Sequence, residues 1–448
     1  MEKKIPYEKF FGDKKAIIVS ASGNLRITLR GIVRQLGISA NNVLMAQTFE
    51  EAAKLIDQQM PEIIITEFSI EEKSCIELVD KQRQHKPIRL KSLSCVISSM
   101  DLSVHSSKSL DREIDLHLIQ PITADLFEKA VAKIILQKLK PNAKLQLLEK
   151  VRLLYSGKKY AEALSIIDAV PAEAQDAKLL YYKGSILAEK NDLVAALDCW
   201  EHGLDLEPEN YWCLKSLFNH FITQKLPLQN YKITLKLLDH HPLNPEWIPH
   251  ITRIFIANEQ YKKVVEYFDV FVNWDNLDEM KQEAEQINDM HATIAACMVI
   301  SANFIHKMGD KPLAVEALIK SVRLCKDKPK ILSQIIISLV KMYEFDQATK
   351  FLTMIEEGDY SPELYGAELQ ILNLDEEADA QEILKQSIGL IEKGIKSEKV
   401  YEIAITRSLE VKRSKDRINA LVEDACAYFP KREKFFKDLL QQVISAAS

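Results

Sequence analysis

The sequence predicts two architectures in series. Residues 14–138 read as an α/β domain, a doubly wound parallel five-stranded sheet, and residues from about 144 onward read as an all-α solenoid. Three observations predict this. Five short apolar runs alternate with amphipathic stretches over 14–138, the pattern of strands buried on both faces and linked by helices. Beyond 143 the strand signal stops and a 34-residue internal repeat takes over. Glycine is scarce, 12 of 448 residues, which suits a helix-rich chain and argues against glycine-rich phosphate loops.

Each element has its own signal. Ala16-Ile17-Ile18-Val19 is a continuous apolar run and reads as a buried strand. Leu25 to Leu36 is amphipathic, with Gly37 as its stop. Val43–Ala46 is the second strand. Thr48 then caps a helix from Phe49 to Gln59, with Glu51 three residues on as the partner in a capping box. Pro61 precedes the strand Ile63–Ile65, Ile76–Gln82 is helical, Cys95–Ile97 and Leu116–Ile119 are extended, and Asp125–Leu139 closes the domain. Residues 139–143, with Lys140-Pro141-Asn142, read as a linker.

In the repeat region, counting Ala177 as position 1 places Gly184 at 8, Leu187 at 11, Ala196 at 20, Trp200 at 24, Gly203 at 27 and Pro208 at 32. This pattern resembles the tetratricopeptide repeat, in which small residues at 8 and 20 let paired helices approach and large apolar ones at 11, 17 and 24 fill the seam between them. The repeats span 144–360 as five or six units. Val264 to Ala317 is 53 residues, one period plus 19, so an insertion is expected near 273–289, where six acids accompany Lys281. Residues 361–448 stay helical but lose the register, as a degenerate repeat with capping helices would.

Net charge is −6, the wrong sign for a bulk nucleic-acid binder. Residues 1–140 carry 21 basic and 18 acidic side chains (+3), and the remainder 38 and 47 (−9), so the two parts could attract. Lys81, Arg83, Lys86, Arg89 and Lys91 form a basic stretch without interleaved aromatics, and no nucleic acid is expected as a partner. Seven scattered cysteines without a C-x-x-C suit buried thiols in a reducing cytoplasm rather than disulfides or zinc. The longest mostly apolar stretch, Ala292–Ile305, has 14 residues against the roughly 20 of a membrane helix. No membrane insertion, cofactor or metal is expected. No H-E-x-x-H, G-x-S-x-G or Walker pattern occurs, so the chain is not expected to be an enzyme.

The first part resembles the receiver domain of bacterial response regulators, a flavodoxin-like fold. Val19 to Arg26 stands where that family has its acidic pair and following turn, Pro61 to Glu67 matches the run into the phosphoacceptor, Ser98-Ser99-Met100-Asp101 matches the hydroxyl after strand four, and Leu118 to Ile122 matches the Lys-Pro corner. The resemblance implies a site that takes a phosphoryl group with Mg²⁺ held by acids. Here Ser20 and Ala21 replace the acidic pair, Glu67 the phosphoacceptor and Gln120 the lysine; Ser98 keeps the hydroxyl and His117 takes the aromatic switch position. The result is a pseudo-receiver. Glu67 is either a fixed mimic bonded to Ser98 or an inert strand-end residue, and Gln120 could bond it.

The second part resembles tetratricopeptide (TPR) repeats, whose first helices line a groove. That resemblance puts Arg152, Tyr155, Lys178, Tyr181, Trp212, Lys215, Asn219 and Arg253 on a peptide-binding groove. Together the resemblances imply a phosphorylation-independent bacterial signalling adaptor in two-component signal transduction, a scaffold meeting protein partners through the groove and the receiver surface. The alternatives are an active response regulator with the repeats as output, or a structural assembly factor for a secretion- or pilus-type machine.

Overall fold

The structure is a computed structural model that describes residues 6–71, 73–99, 103–269, 284–374 and 379–446. Five strands form one parallel sheet: β1 (Ala16–Val19), β2 (Val43–Ala46), β3 (Ile63–Glu67), β4 (Leu93–Ser98) and β5 (Leu116–Ile119), in the order β2-β1-β3-β4-β5. This is a doubly wound order. Side-chain alternation sorts the strands onto two cores. Ile18, Ile65 and Cys95 pack with Leu29 and Val33 of α2 (Gly23–Gln35) and Phe127 and Val131 of α6 (Ala124–Leu139). Ile17, Val19 and Ile64 pack on the other face with Ile56 of α3 (Phe49–Gln59) and Leu78 of α4 (Ile76–His85). α5 (Ser103–Asp111) leads into β5.

The sequence elements reappear within a few residues. Three features escaped them: α1 (Tyr7–Phe11), whose Phe10 and Phe11 join the α2/α6 core, α5 itself, and the paired strands Ser69–Ile70 and Lys73–Ser74. The Thr48 cap is present, its Oγ1 accepting from Glu51 N–H at 3.2 Å, but Glu51 Oε2 reaches Gln47 N–H at 2.7 Å, one residue before the capping-box position.

The rest is helical. One compact unit contains Met1–Asn258; the other contains Glu259–Asp269 and Glu285–Ser448. The first holds, beside the sheet, α7 (Ala143–Ser156), α8 (Tyr160–Asp168), α9 (Ala177–Glu189), α10 (Leu193–Leu206), α11 (Tyr211–Thr223), α12 (Pro227–His240) and α13 (Ile248–Ala257). The second holds α14 (Tyr261–Glu266), α15 (Ala284–Lys307), α16 (Lys311–Ser321), α17 (Pro329–Lys341), α18 (Phe345–Leu352), α19 (Pro362–Asn373), α20 (Ala380–Glu392), α21 (Glu398–Glu410), α22 (Lys415–Tyr428) and α23 (Glu433–Ala446).

The 34-residue period is visible in the turns. A left-handed residue recurs at Lys158, Asn191, Lys225, Glu259, Gly309 and Tyr343, at intervals of 33, 34, 34, 50 and 34 residues. The long interval spans the stretch where the insertion is expected. Most of 273–289 lies outside the described residues; α15 follows, 24 residues long where other repeat helices have 14 or fewer.

The small residues of the repeat have a steric cause. A Cβ on Gly184 would lie 2.5 Å from Trp200 Nε1 and 2.9 Å from the Ala196 carbonyl oxygen. Trp200, 5 % exposed, crosses that gap and donates from Nε1 to the Tyr181 carbonyl at 3.3 Å. Gly184→Ala is therefore expected to destabilise the chain by about 1–3 kcal/mol through overpacking. Chemical unfolding, followed by tryptophan fluorescence, measures it; an unchanged midpoint would contradict this packing.

Candidate functional site

The residues that the sequence resemblance singled out in the sheet domain lie toward the C-terminal ends of the strands, and they are engaged within the chain. Glu67, at the end of β3, accepts from Ala21 N–H at 2.8 Å through Oε2. Ser20 is fully buried, its Oγ bonded to Ser22 N–H at 3.0 Å. Arg26, one turn into α2, donates from Nη1 to the carbonyls of Ser20 and Ala21. Ser98 Oγ lies 2.8 Å from His117 Nε2. Gln120 is exposed, and its N–H donates to the Ser98 carbonyl at 2.9 Å. Among the described residues no hydrogen bond joins Glu67 to Ser98 or Gln120. The extra methylene of Glu67 has a visible effect: the carboxylate reaches the β1–α2 turn and caps it. Of the block Ser98-Ser99-Met100-Asp101, residues 100 and 101 lie outside the described residues.

The groove residues meet something unexpected: the sheet domain itself. Asp176 caps α9 by accepting from Leu179 N–H at 2.8 Å, and Asn210 caps α11 by accepting from Cys213 N–H at 3.1 Å. These caps set where the first turns begin, so Lys178 and Tyr181, and Trp212 and Lys215, each three apart, share a helix face. Their rings form a ladder. Successive centroids from Tyr155 through Tyr182, Tyr181 and Trp212 to Tyr211 lie 5.6, 5.0, 5.5 and 5.1 Å apart. Lys178 Nζ sits 3.4 Å from the Trp212 ring centroid and Lys215 Nζ 5.8 Å from that of Tyr211.

Both ammonium groups point at the turn between α5 and β5. Lys178 pairs with Glu113 at 2.5 Å and Lys215 with Asp111 at 2.5 Å. Asp111 also accepts from Tyr211 Oη and, at 3.0 Å, from Asn244 Nδ2. Burial, then the Asp111 carboxylate, pushes the Tyr211 phenol up, which keeps it a donor. On α7, Arg152 donates to the Pro87 carbonyl at 2.6 Å, and Glu149 accepts from Arg89 N–H at 2.7 Å. Glu113 itself is held in the left-handed region, φ +48°, by the end of α5.

The structure thus brings Arg152, Lys178, Tyr181, Trp212 and Lys215 together. Tyr155 is half-buried between helices. Asn219 is exposed, its carbonyl accepting from Thr223 Oγ1 at 2.9 Å, and Arg253 is exposed on α13. Sequence reasoning missed Asp111, Glu113, Tyr211 and Asn244. A signal existed: Asp111-Arg112-Glu113-Ile114-Asp115 is an acidic run in a domain of net positive charge, opposite a basic row in an acidic region.

The basic stretch of α4 and the following loop is also engaged internally. Lys81 pairs with Asp57 at 2.8 Å, Lys86 with Glu62 and Arg89 with Glu113. Arg83 donates to the Glu113 carbonyl at 2.9 Å, and of the five only Lys91 is exposed. Among the described residues none of the seven cysteines forms a disulfide; five are buried, and Cys199 and Cys426 are half-exposed. Among the described residues no helix is long and apolar enough to cross a membrane, and no group of three or more His, Cys, Asp or Glu is placed to hold a metal.

No family model matches the sequence, and no curated protein is similar to it. Solved structures do match. The C-terminal part of a TPR repeat-containing protein from Cytophaga hutchinsonii is 15 % identical, over 58 % of this chain and 95 % of that one, with a TM-score of 0.30. The Naa15/Naa10 complex bound to HypK-THB is 14 % identical, over 71 % of this chain and 48 % of that one, with a TM-score of 0.35. Neither TM-score reaches one half, so the repeat rests on this chain's own intervals and packing.

Asp111→Ala would leave the Lys215 ammonium and the Asn244 amide without their partner in a largely buried contact. A loss of about 2–5 kcal/mol is expected at this contact. Amide hydrogen exchange should show faster exchange at both 111–115 and 211–219. Protection that stays as it was in the wild type at 211–219 would mean the contact does not hold the helices.

Proposed function

We propose that the chain is a non-enzymatic signalling adaptor: a phosphorylation-independent pseudo-receiver joined to a TPR-type scaffold that binds protein partners. The observation that supports it most directly is the state of the strand ends. Phosphoryl transfer to a receiver needs an in-line carboxylate, a metal held by acids, and a fixed cation with a hydroxyl to read the product. In this chain Glu67 caps a turn, Ser98 is bonded to His117, and Ser20 and Ala21 turn their carbonyls to Arg26. Each of these groups has a structural partner within the chain, which supports a structural rather than a transfer role.

The scaffold reading draws on the helical pairs. The groove of the first repeats is closed by the chain's own α5–β5 turn, so the N-terminal repeats bind their own sheet domain. Protein partners fall to the surfaces that remain: the outward strand ends, the exposed face carrying Asn219 and Arg253, and the second unit.

The test is incubation of the full chain with acetyl phosphate and Mg²⁺, followed by intact-mass measurement. No phosphoryl adduct is expected, and the proteins captured by the chain should be the same before and after treatment and with Glu67→Ala. A stoichiometric adduct lost in Glu67→Ala would sink this reading and favour an active response regulator.

A further inference from the structure

Between the sheet domain and helices α7 and α9 lies a cavity of about 390 Å³. Its basic side chains outnumber its acidic ones. Four line it: Arg89, Lys138, Arg152 and Lys178. They face three carboxylates. Lys138 pairs with Asp115 at 2.7 Å and Arg152 with Glu149 at 2.8 Å, while Glu113 alone serves both Arg89 and Lys178. Behind them Arg83 adds a fifth basic side chain, and its bonds go to neutral acceptors, the carbonyls of Arg112 and Glu113 and the Ser94 hydroxyl.

One donor is left over. Arg89 Nε is buried and has no hydrogen-bond partner. The crowding of like charge is felt by the groups themselves. Burial, then Arg83 and Arg152, pushes Arg89 down to about 10. Burial, then Arg89, pushes Lys178 down. Basic groups that outnumber the carboxylates, with an unsatisfied guanidinium donor among them, suit an anion. The remaining wall is apolar, with Leu145, Leu148 and the ring of Tyr182, and the volume lies in the range of small-molecule sites.

We propose that this cavity binds a small phosphorylated molecule, its phosphate taken by Arg89 and Arg152 and its remaining part laid along Leu145, Leu148 and Tyr182. Guanidinium groups suit phosphate because their planar donors match its oxygens in pairs. Such a ligand would touch both the sheet domain and the helices and would add an ionic bridge between them. The inference does not rest on the adaptor reading, since the cavity and its charges are the same if the strand ends are active.

The test is calorimetric titration of the full chain with inorganic pyrophosphate and with ATP, each without metal. Saturable one-to-one binding is expected for at least one of them. Arg152→Gln should weaken it at least about tenfold, the scale of one charge-assisted contact, while Lys91→Gln, an exposed lysine two residues from Arg89, should leave it unchanged. Leu148→Trp keeps every cation and fills the cavity; it should abolish binding while circular dichroism stays that of the wild type. Pyrophosphate binding equal to that of ATP assigns the affinity to the phosphate end, and tighter ATP binding adds the apolar wall; both agree with the proposal. No saturable binding of either probe, or binding indifferent to Arg152→Gln and Leu148→Trp, would overturn it.

Discussion

Two carboxylates on one turn, Asp111 and Glu113, hold the first unit together. Each meets a lysine that lies over aromatic rings, and neither pair is reachable by bulk water on all sides. A buried ion pair adds little net stability, because desolvation cancels most of the attraction. What it adds is definition. A helix face that placed Lys178 or Lys215 one position away would bury an ammonium with no partner. The register of α9 and α11 against the sheet is set by that penalty.

The local charges run against the bulk charges. The sheet region is net positive and the helical region net negative, yet the contact is made by acids of the former and bases of the latter. Domain-level attraction would have predicted the opposite surfaces. At contact distance the sign of the nearest few groups outweighs a mild net charge that salt screens within about 10 Å. The geometry also separates two ends of one sheet. Ser94 and Asp115, near the starts of β4 and β5, lie by the helices, whereas Ser98, Glu67 and Gln120 lie at the opposite strand ends, about 13 Å away along β4 at ~3.3 Å per residue.

Much of the fold could be read from the chain because the signals are local. β1, β2 and β5 begin and end where their apolar runs do, and Gly184 and Trp200 mark a helix crossing because only a hydrogen fits beneath the indole. The paired strands Ser69–Ile70 and Lys73–Ser74, α1 and α5 left little trace; the first two are too short to show a period. The candidate site was half legible. Lys178, Trp212 and Lys215 were placed on one face by the resemblance to TPR repeats, whose first helices line a groove. What covers that face depends on residues 65 and 104 positions away, and no local pattern encodes such a pairing. The role of Glu67 was likewise open, because its partner, the Ala21 amide, is a main-chain group present at every residue.

The connection between α6 and α7 is three residues long, Lys140 to Asn142. A tether this short holds the α5–β5 turn beside its lysines at an effective concentration on the order of millimolar. A free acidic peptide present at micromolar levels would have to bind the same lysines about a thousandfold more tightly to take the turn's place. The first repeats are therefore closed to weak acidic ligands by mass action alone.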